Sequence, residues 1–178
     1  MPATLHIARP DADEHIEYYT RYTTLVPGDD ALAALSTQIH DTLRMLRPLD
    51  EVKGRHRYAT GKWSVKEVIG HLADVERVFA YRALRFGRGD STPLPGFDEN
   101  AYVDPGNFDV RPLQEVLDEF AAVRAASVAL FGGFEAAALL SRGTASDHPV
   151  SVRAIAWIIA GHELHHRRLL VERYGISA

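Results

Sequence analysis

Gly161-His162-Glu163-Leu164-His165-His166 puts three imidazoles and one carboxylate within five residues. Imidazole nitrogen is a common ligand for divalent transition metals, so the first chemistry this stretch offers is metal binding. On an α-helix, residues four apart lie about 40° apart around the axis and about 6 Å apart along it. His162 and His166 can therefore reach one ion, whereas His165 and His166 diverge by about 100°. The same residues spell His-Glu-x-x-His, the zincin metalloprotease signature, with Glu163 as its base. A zincin normally takes its third ligand downstream, and the residues after His166 contain no histidine and a single carboxylate, Glu172. Leu169 also stands where the metzincin extension has glycine. A di-iron carboxylate site needs two Glu-x-x-His copies, and Glu163-x-x-His166 is one.

The elements around these residues decide between the readings. With His162 at zero on a helical wheel, Ile155, Ile158, Ile159, His166 and Leu169 all fall within about 60° of it. Both ligand candidates thus sit in the middle of an apolar stripe. Burying two imidazoles is costly unless they are paired, hydrogen-bonded or bound to metal. A third imidazole, His71, lies on the margin of another helix's stripe, with Glu67 and Asp74 at i−4 and i+3. His71, His162 and His166 are the candidate metal ligands. His165 falls at the stripe edge, where a surface or supporting role is expected. His6, His15, His40, His56 and His148 are scattered and read as structural or exposed.

The 178-residue chain is 46% hydrophobic and 25% charged, ordinary for one soluble globular domain spanning residues 1–178. Its formal charge of −4 argues against nucleic acid as the main partner. There is no cysteine, so neither a disulfide nor a thiolate nucleophile comes from the protein. The N-terminal ten residues lack a signal-peptide apolar run, and the most apolar segment, 154–160, is too short for a bilayer. No membrane partner and a cytoplasmic location are expected.

Helical spacing predicts a short helix near 13–24. A long one follows, with Asp29 or Asp30 as N-cap and Leu32, Leu35, Ile39, Leu43 and Leu46 on one face. Pro48 ends it. The basic connection 50–62 reads as a solvated loop, with an anion site beside the next helix start as the alternative. Ser64 and Glu67 form a capping box with Trp63 and Val68 at the staple positions, starting a helix to about Phe86. That cap explains Glu67 without catalysis. Residues 88–110 lack periodicity and carry several prolines and glycines, which suits either a pocket lid or a packed crossover pinned by Phe97, Tyr102 and Phe108. Pro112 at N1 starts a third long helix, ended by Gly132-Gly133. Short turns at 134–141 and a loop at 142–150 precede the last helix, from N-cap Ser151 to about Tyr174. With no strand pattern, these elements predict an all-α four-helix bundle with a long crossover between the second and third long helices.

Trp63-Ser-Val-Lys-Glu-Val-Ile-Gly-His71-Leu-Ala-Asp74, followed some ninety residues later by Gly161-His162-Glu-Leu-His-His166, resembles the DinB/YfiT-like family. Tyr81-Arg82-Ala-Leu-Arg-Phe86 and Leu94-Pro-Gly-Phe97-Asp-Glu-Asn100 are similar to its members too. The resemblance covers about residues 31–175. It implies a metal-binding four-helix bundle, often dimeric, whose divalent ion is held by one histidine of the second helix and a His-x-x-x-His pair of the fourth. Those positions are His71, His162 and His166. The resemblance also implies enzymes that join a low-molecular-weight thiol, such as bacillithiol, mycothiol or glutathione, to a small electrophilic substrate. Other members are described as metal-dependent hydrolases, and a stress-related bundle with a purely structural ion is a third alternative. Three neutral imidazoles leave an open coordination position and the full charge of the ion. Zinc or nickel is expected, with iron and copper also compatible. Glu67, Asp74 and the lid residue Asn100 are candidates for steering protons or substrate.

Overall fold

Three of the four long helices begin at a side chain that satisfies a free N–H group. In the computed structural model, which describes residues 5–177, Asp30 accepts from Leu32 N–H and opens α2 (Ala31–Leu46). Met1–Thr4, where the N-terminal stretch read for a signal peptide begins, lie outside the described residues. A one-turn α1 (Thr20–Thr23), preceded by a 3-10 turn at Glu17–Tyr19, is what the expected helix near 13–24 becomes. Ser64 and Glu67 make the reciprocal capping box of α4 (Val65–Gly87): Glu67 N–H donates to Ser64 Oγ at 3.1 Å and Ser64 N–H to a Glu67 oxygen at 2.7 Å. Pro112 is the N-cap of α6 (Leu113–Gly132) rather than its first helical residue. After the single-turn α7 (Ala136–Leu139), Ser151 Oγ accepts from Ala154 N–H at 3.0 Å and opens α8 (Val152–Glu172).

The apolar stripes read from the sequence are the buried ones. Leu35 and Ile39, Val68 through Phe86, and Val116 through Val123 line the interior. Between Val152 and Glu163, α8 is buried on nearly every side, because α1, α2 and α4 all pack on it. The contacting pairs of long helices are α2–α6, α6–α4, α4–α8 and α8–α2. Consecutive helices α2 and α4 therefore sit on opposite corners of the bundle, and α4 and α8, which carry the histidines, are neighbours.

The centre of this bundle is polar. Arg124 of α6, 1% exposed, donates through Nε and Nη2 to both oxygens of Glu76 on α4 at 2.9 and 2.8 Å. Its Nη1 donates to Glu163 of α8 at 2.6 Å and to the Leu35 carbonyl of α2 at 3.3 Å. Gln38 and Thr42 of α2 complete the shell of Glu163. Burial alone would push Arg124 toward its neutral form, but the Glu163 and Glu76 carboxylates outweigh it and hold the guanidinium pKa above its ordinary value. The network ties all four long helices together. A fully satisfied buried ion pair adds little net stability, whereas removing one partner is costly.

Three connections differ from their sequence expectation. The basic stretch 50–62 contains a helical turn, α3 (Glu51–Gly54), and Glu51 there pairs with the fully buried Lys66, whose Nζ also donates to the Arg111 carbonyl at 2.6 Å. The crossover contains α5 (Glu99–Gly106), capped by Asp98, and a 3-10 turn at Phe108–Val110. Of its aromatic residues, Phe108 is buried, Phe97 packs partly on the core and Tyr102 is exposed. The Phe108 ring lies where Gly70 has no side chain; a Cβ there would meet it at 2.3 Å.

The third difference is a hairpin where a loop was expected. Strand β1 (Arg142–Ala145) pairs antiparallel with β2 (His148–Ser151), Arg142 opposite Ser151 and Ala145 opposite His148. Its two-residue turn has Ser146 and Asp147 at φ 52° and 64°. Two left-handed central residues make a type I′ turn, whose twist matches the strands. Ala-Ser-Asp-His lacks the Asn-Gly signal that announces such turns. The crossover joins the hairpin: Leu94 N–H donates to the Thr144 carbonyl at 2.9 Å and Ser146 N–H to the Leu94 carbonyl at 3.1 Å. Among the described residues, no helix is long and apolar enough to cross a membrane.

Candidate metal centre

His71 sits two turns into α4, and His162 and His166 lie one turn apart on α8. Because the two helices pack side by side, three rings separated by up to ninety-five positions converge. His71 Nε2 and His166 Nε2 each lie 3.1 Å from His162 Nε2, and one ring nitrogen of each of the three falls within 4.8 Å of the others. Two nitrogens 3.1 Å apart can both lie about 2.0–2.1 Å from a common ion, the zinc–imidazole distance. The donor set therefore fits a divalent metal.

The electrostatics favour the neutral, ligating form of each ring. Burial lowers the His71 pKa to about 4. Burial, then the His166 and His71 rings, push His162 well below the ordinary histidine value. His166 is shifted the same way by burial and by His71 and His165. His71 and His162 are 5% and 9% exposed, and His166 is more open.

Aromatic walls hold the rings in place. Trp63 lies 4.7 Å from His71 between ring centroids, and Tyr22 stands edge-on to both His162 and His165 at 5.4 Å. Gly161 makes the Tyr22 contact possible. A Cβ at that position would stand 2.0 Å from the Tyr22 carbonyl oxygen, so only glycine lets α1 come this close.

Glu163 points into the Arg124 network and away from the histidines' common point, which removes it from the role of a zincin base. Glu67 is engaged by Arg57, whose Nη2 donates to it at 2.8 Å, as well as by its capping bonds. Burial would raise its pKa, but Arg57 and the Ser64 N–H outweigh that and lower it. Asp74 bonds Arg77 at 3.2 Å, not His71; burial raises its pKa against the opposing pull of Arg77. Asn100, in the first turn of α5, lines a cavity with His166. His165 is half-buried beside Tyr22, near the edge position expected of it.

Two cavities reach the histidines. One, of about 240 Å³, is lined by His71 and His162 together with Tyr19, Phe79, Arg82 and Phe97. The other, of about 270 Å³, is lined by His166 with Lys62, Trp63, Asn100 and Tyr174. The crossover contributes Phe97 and Glu99 to the first and Asn100 to the second. Tyr22 and Ser146 were not legible as site residues, because a one-turn helix and a hairpin turn without glycine deliver them. Arg124 was missed by the sequence reading, although its place on the buried stripe with Leu117, Phe120 and Phe131 is a signal that could have found it.

The same architecture is found in solved structures. YfiT from Bacillus subtilis, described as a probable metal-dependent hydrolase with an unusual four-helix bundle topology, is 17% identical, with a TM-score of 0.67 and 94% of each chain covered. The mycothiol-dependent maleylpyruvate isomerase is 15% identical with a TM-score of 0.68; the match covers 83% of this chain and 60% of that protein's length. At these identities the likeness is one of fold. No curated protein matches the sequence. The family model of the DinB superfamily matches residues 34–170, a span that runs from α2 to the end of the histidine pair, and the chain belongs to that superfamily.

Proposed function

We propose that this protein is a metal-dependent enzyme that joins a low-molecular-weight thiol to a small electrophilic substrate, with His71, His162 and His166 holding the ion. The observation that carries the reading is the convergence of three neutral imidazoles between two cavities. A divalent ion held there supplies Lewis acidity, which makes a nearby thiol acidic enough to react near neutral pH. The chain contains no cysteine, so the thiol enters as a cosubstrate. The two cavities offer separate places for thiol and electrophile. Tyr19, Phe79 and Phe97 give one approach an aromatic lining, and Trp63 and Tyr174 do the same for the other. Cavities that reach the ligands also favour catalysis over a purely structural ion, which would be enclosed.

Hydrolysis is the second reading, and the likeness to YfiT favours it. The deciding experiment measures metal content in the purified protein, then product formation from a model electrophile with glutathione, bacillithiol or mycothiol, before and after chelation. Thiol-dependent turnover that chelation abolishes supports the transferase. Product without added thiol replaces it with the hydrolase. No turnover with any thiol, metal-loaded, overturns it.

A further inference from the structure

Two arginines of the described residues are buried, and their surroundings differ. Arg124, 1% exposed, has two carboxylates. Arg82, 3% exposed, has no carboxylate within 4 Å among the described residues: its Nη2 donates to the Pro95 carbonyl at 3.1 Å and to Ser146 Oγ at 3.0 Å. Its guanidinium stands 5.0 Å from the Phe79 ring centroid and 5.5 Å from that of Phe97. It is thus desolvated, held between two rings, anchored through one nitrogen, and it lines the cavity that contains His71 and His162. A buried cation with no anion is costly unless its counter-charge arrives from outside.

We propose that Arg82 is a substrate-binding residue that receives the carboxylate of a small substrate with a flat apolar body. A guanidinium presents a planar fork matched to carboxylate geometry. The Phe79 and Phe97 rings supply the apolar wall. The cavity of about 240 Å³ is smaller than the usual drug-sized site of about 300–1,000 Å³, which sets the ligand at metabolite size. Ser146 holds the fork's Nη2 from the hairpin turn, and Pro95 holds it from the crossover, so α4, crossover and hairpin meet at this one group. Glu99 is the other charged residue of the cavity and carries the opposing sign; it sits at the first position of α5, where it limits how much anionic charge the cavity takes. The proposal rests on the reading above for its connection to catalysis, because the carboxylate would place the rest of the substrate beside His71 and His162.

The test is calorimetric titration of the full-length protein with benzoate and with benzamide, its neutral counterpart, both with its metal and after chelation. Benzoate should bind at least tenfold more tightly than benzamide in both states. Binding that survives chelation belongs to Arg82 rather than to the ion, so this result stands even if no thiol is ever transferred. Arg82→Gln should remove that tenfold preference at unchanged metal content. Arg82→Lys, which keeps charge without the fork, should retain only part of it. Because Arg82 also tethers the hairpin, Glu99→Gln supplies an arm that leaves the tether intact: it should tighten benzoate binding severalfold and leave benzamide unchanged. Equal binding of the two probes, absence of benzoate binding, or an Arg82→Gln protein that folds and keeps the preference would each overturn the proposal.

Discussion

Arg124→Met probes the polar centre of the bundle, and its cost follows from the bonds it breaks. The guanidinium makes two donations to Glu76, one to Glu163 and one to the Leu35 carbonyl. Methionine fills much of the volume but leaves two carboxylates, 3% and 1% exposed, without their cation. Breaking a buried ion pair from one side typically costs about 3–5 kcal/mol. In a domain of this size, each kcal/mol is worth about 2–4 °C, so melting should fall by roughly 6–20 °C. Urea unfolding at pH 7 measures the loss directly. The triple variant Arg124→Met with Glu76→Gln and Glu163→Gln removes the stranded charges and should recover about half of it, because neutral amides are much cheaper to bury than carboxylates. A single variant that loses less than about 1 kcal/mol, or a triple variant no more stable than the single, would refute the view that a charged network holds the centre.

Gly161→Ala should push α1 off α8 through the Tyr22 carbonyl, costing about 1–3 kcal/mol as overpacking does, and should raise amide exchange through residues 17–24. Unchanged exchange there would refute the close-approach argument. His162→Ala should abolish stoichiometric metal binding, read by elemental analysis, while the chelated variant unfolds at no lower urea concentration than chelated wild type. Chelated protein should also be acid-sensitive through its histidines. Their folded pKa values lie below the unfolded value near 6.5, so the unfolded state binds more protons between the two. Stability is then fully present above pH 6.5 and is lost as pH falls toward about 4, by about 3 kcal/mol from His71 alone. A flat profile of unfolding free energy between pH 7 and 4.5 would contradict this.

How far the sequence specified the molecule depends on the range of the interactions involved. The capping box at Ser64 and Glu67, the caps at Asp30 and Ser151, and the apolar stripes are local patterns, so the four long helices and their buried faces were legible. So was the His162–His166 pair, since four-residue spacing alone stacks two rings. What the sequence left open was set by partners distant in the chain. The sequence already spoke against Glu163 as a zincin base, but where its carboxylate goes instead was set by Arg124, thirty-nine positions away. The hairpin at 142–151 was hidden because Ser146 and Asp147 adopt left-handed backbone that the crossover at Leu94 and the Arg82 bond help to hold. His71 joins its partners because α4 packs against α8, and Arg82 faces the same cavity because the crossover folds back over it. The sequence nominated all three candidate rings, two by their spacing along one helix and His71 by its place on another; the packing of α4 on α8 is what brings them together and decides what else can enter beside them.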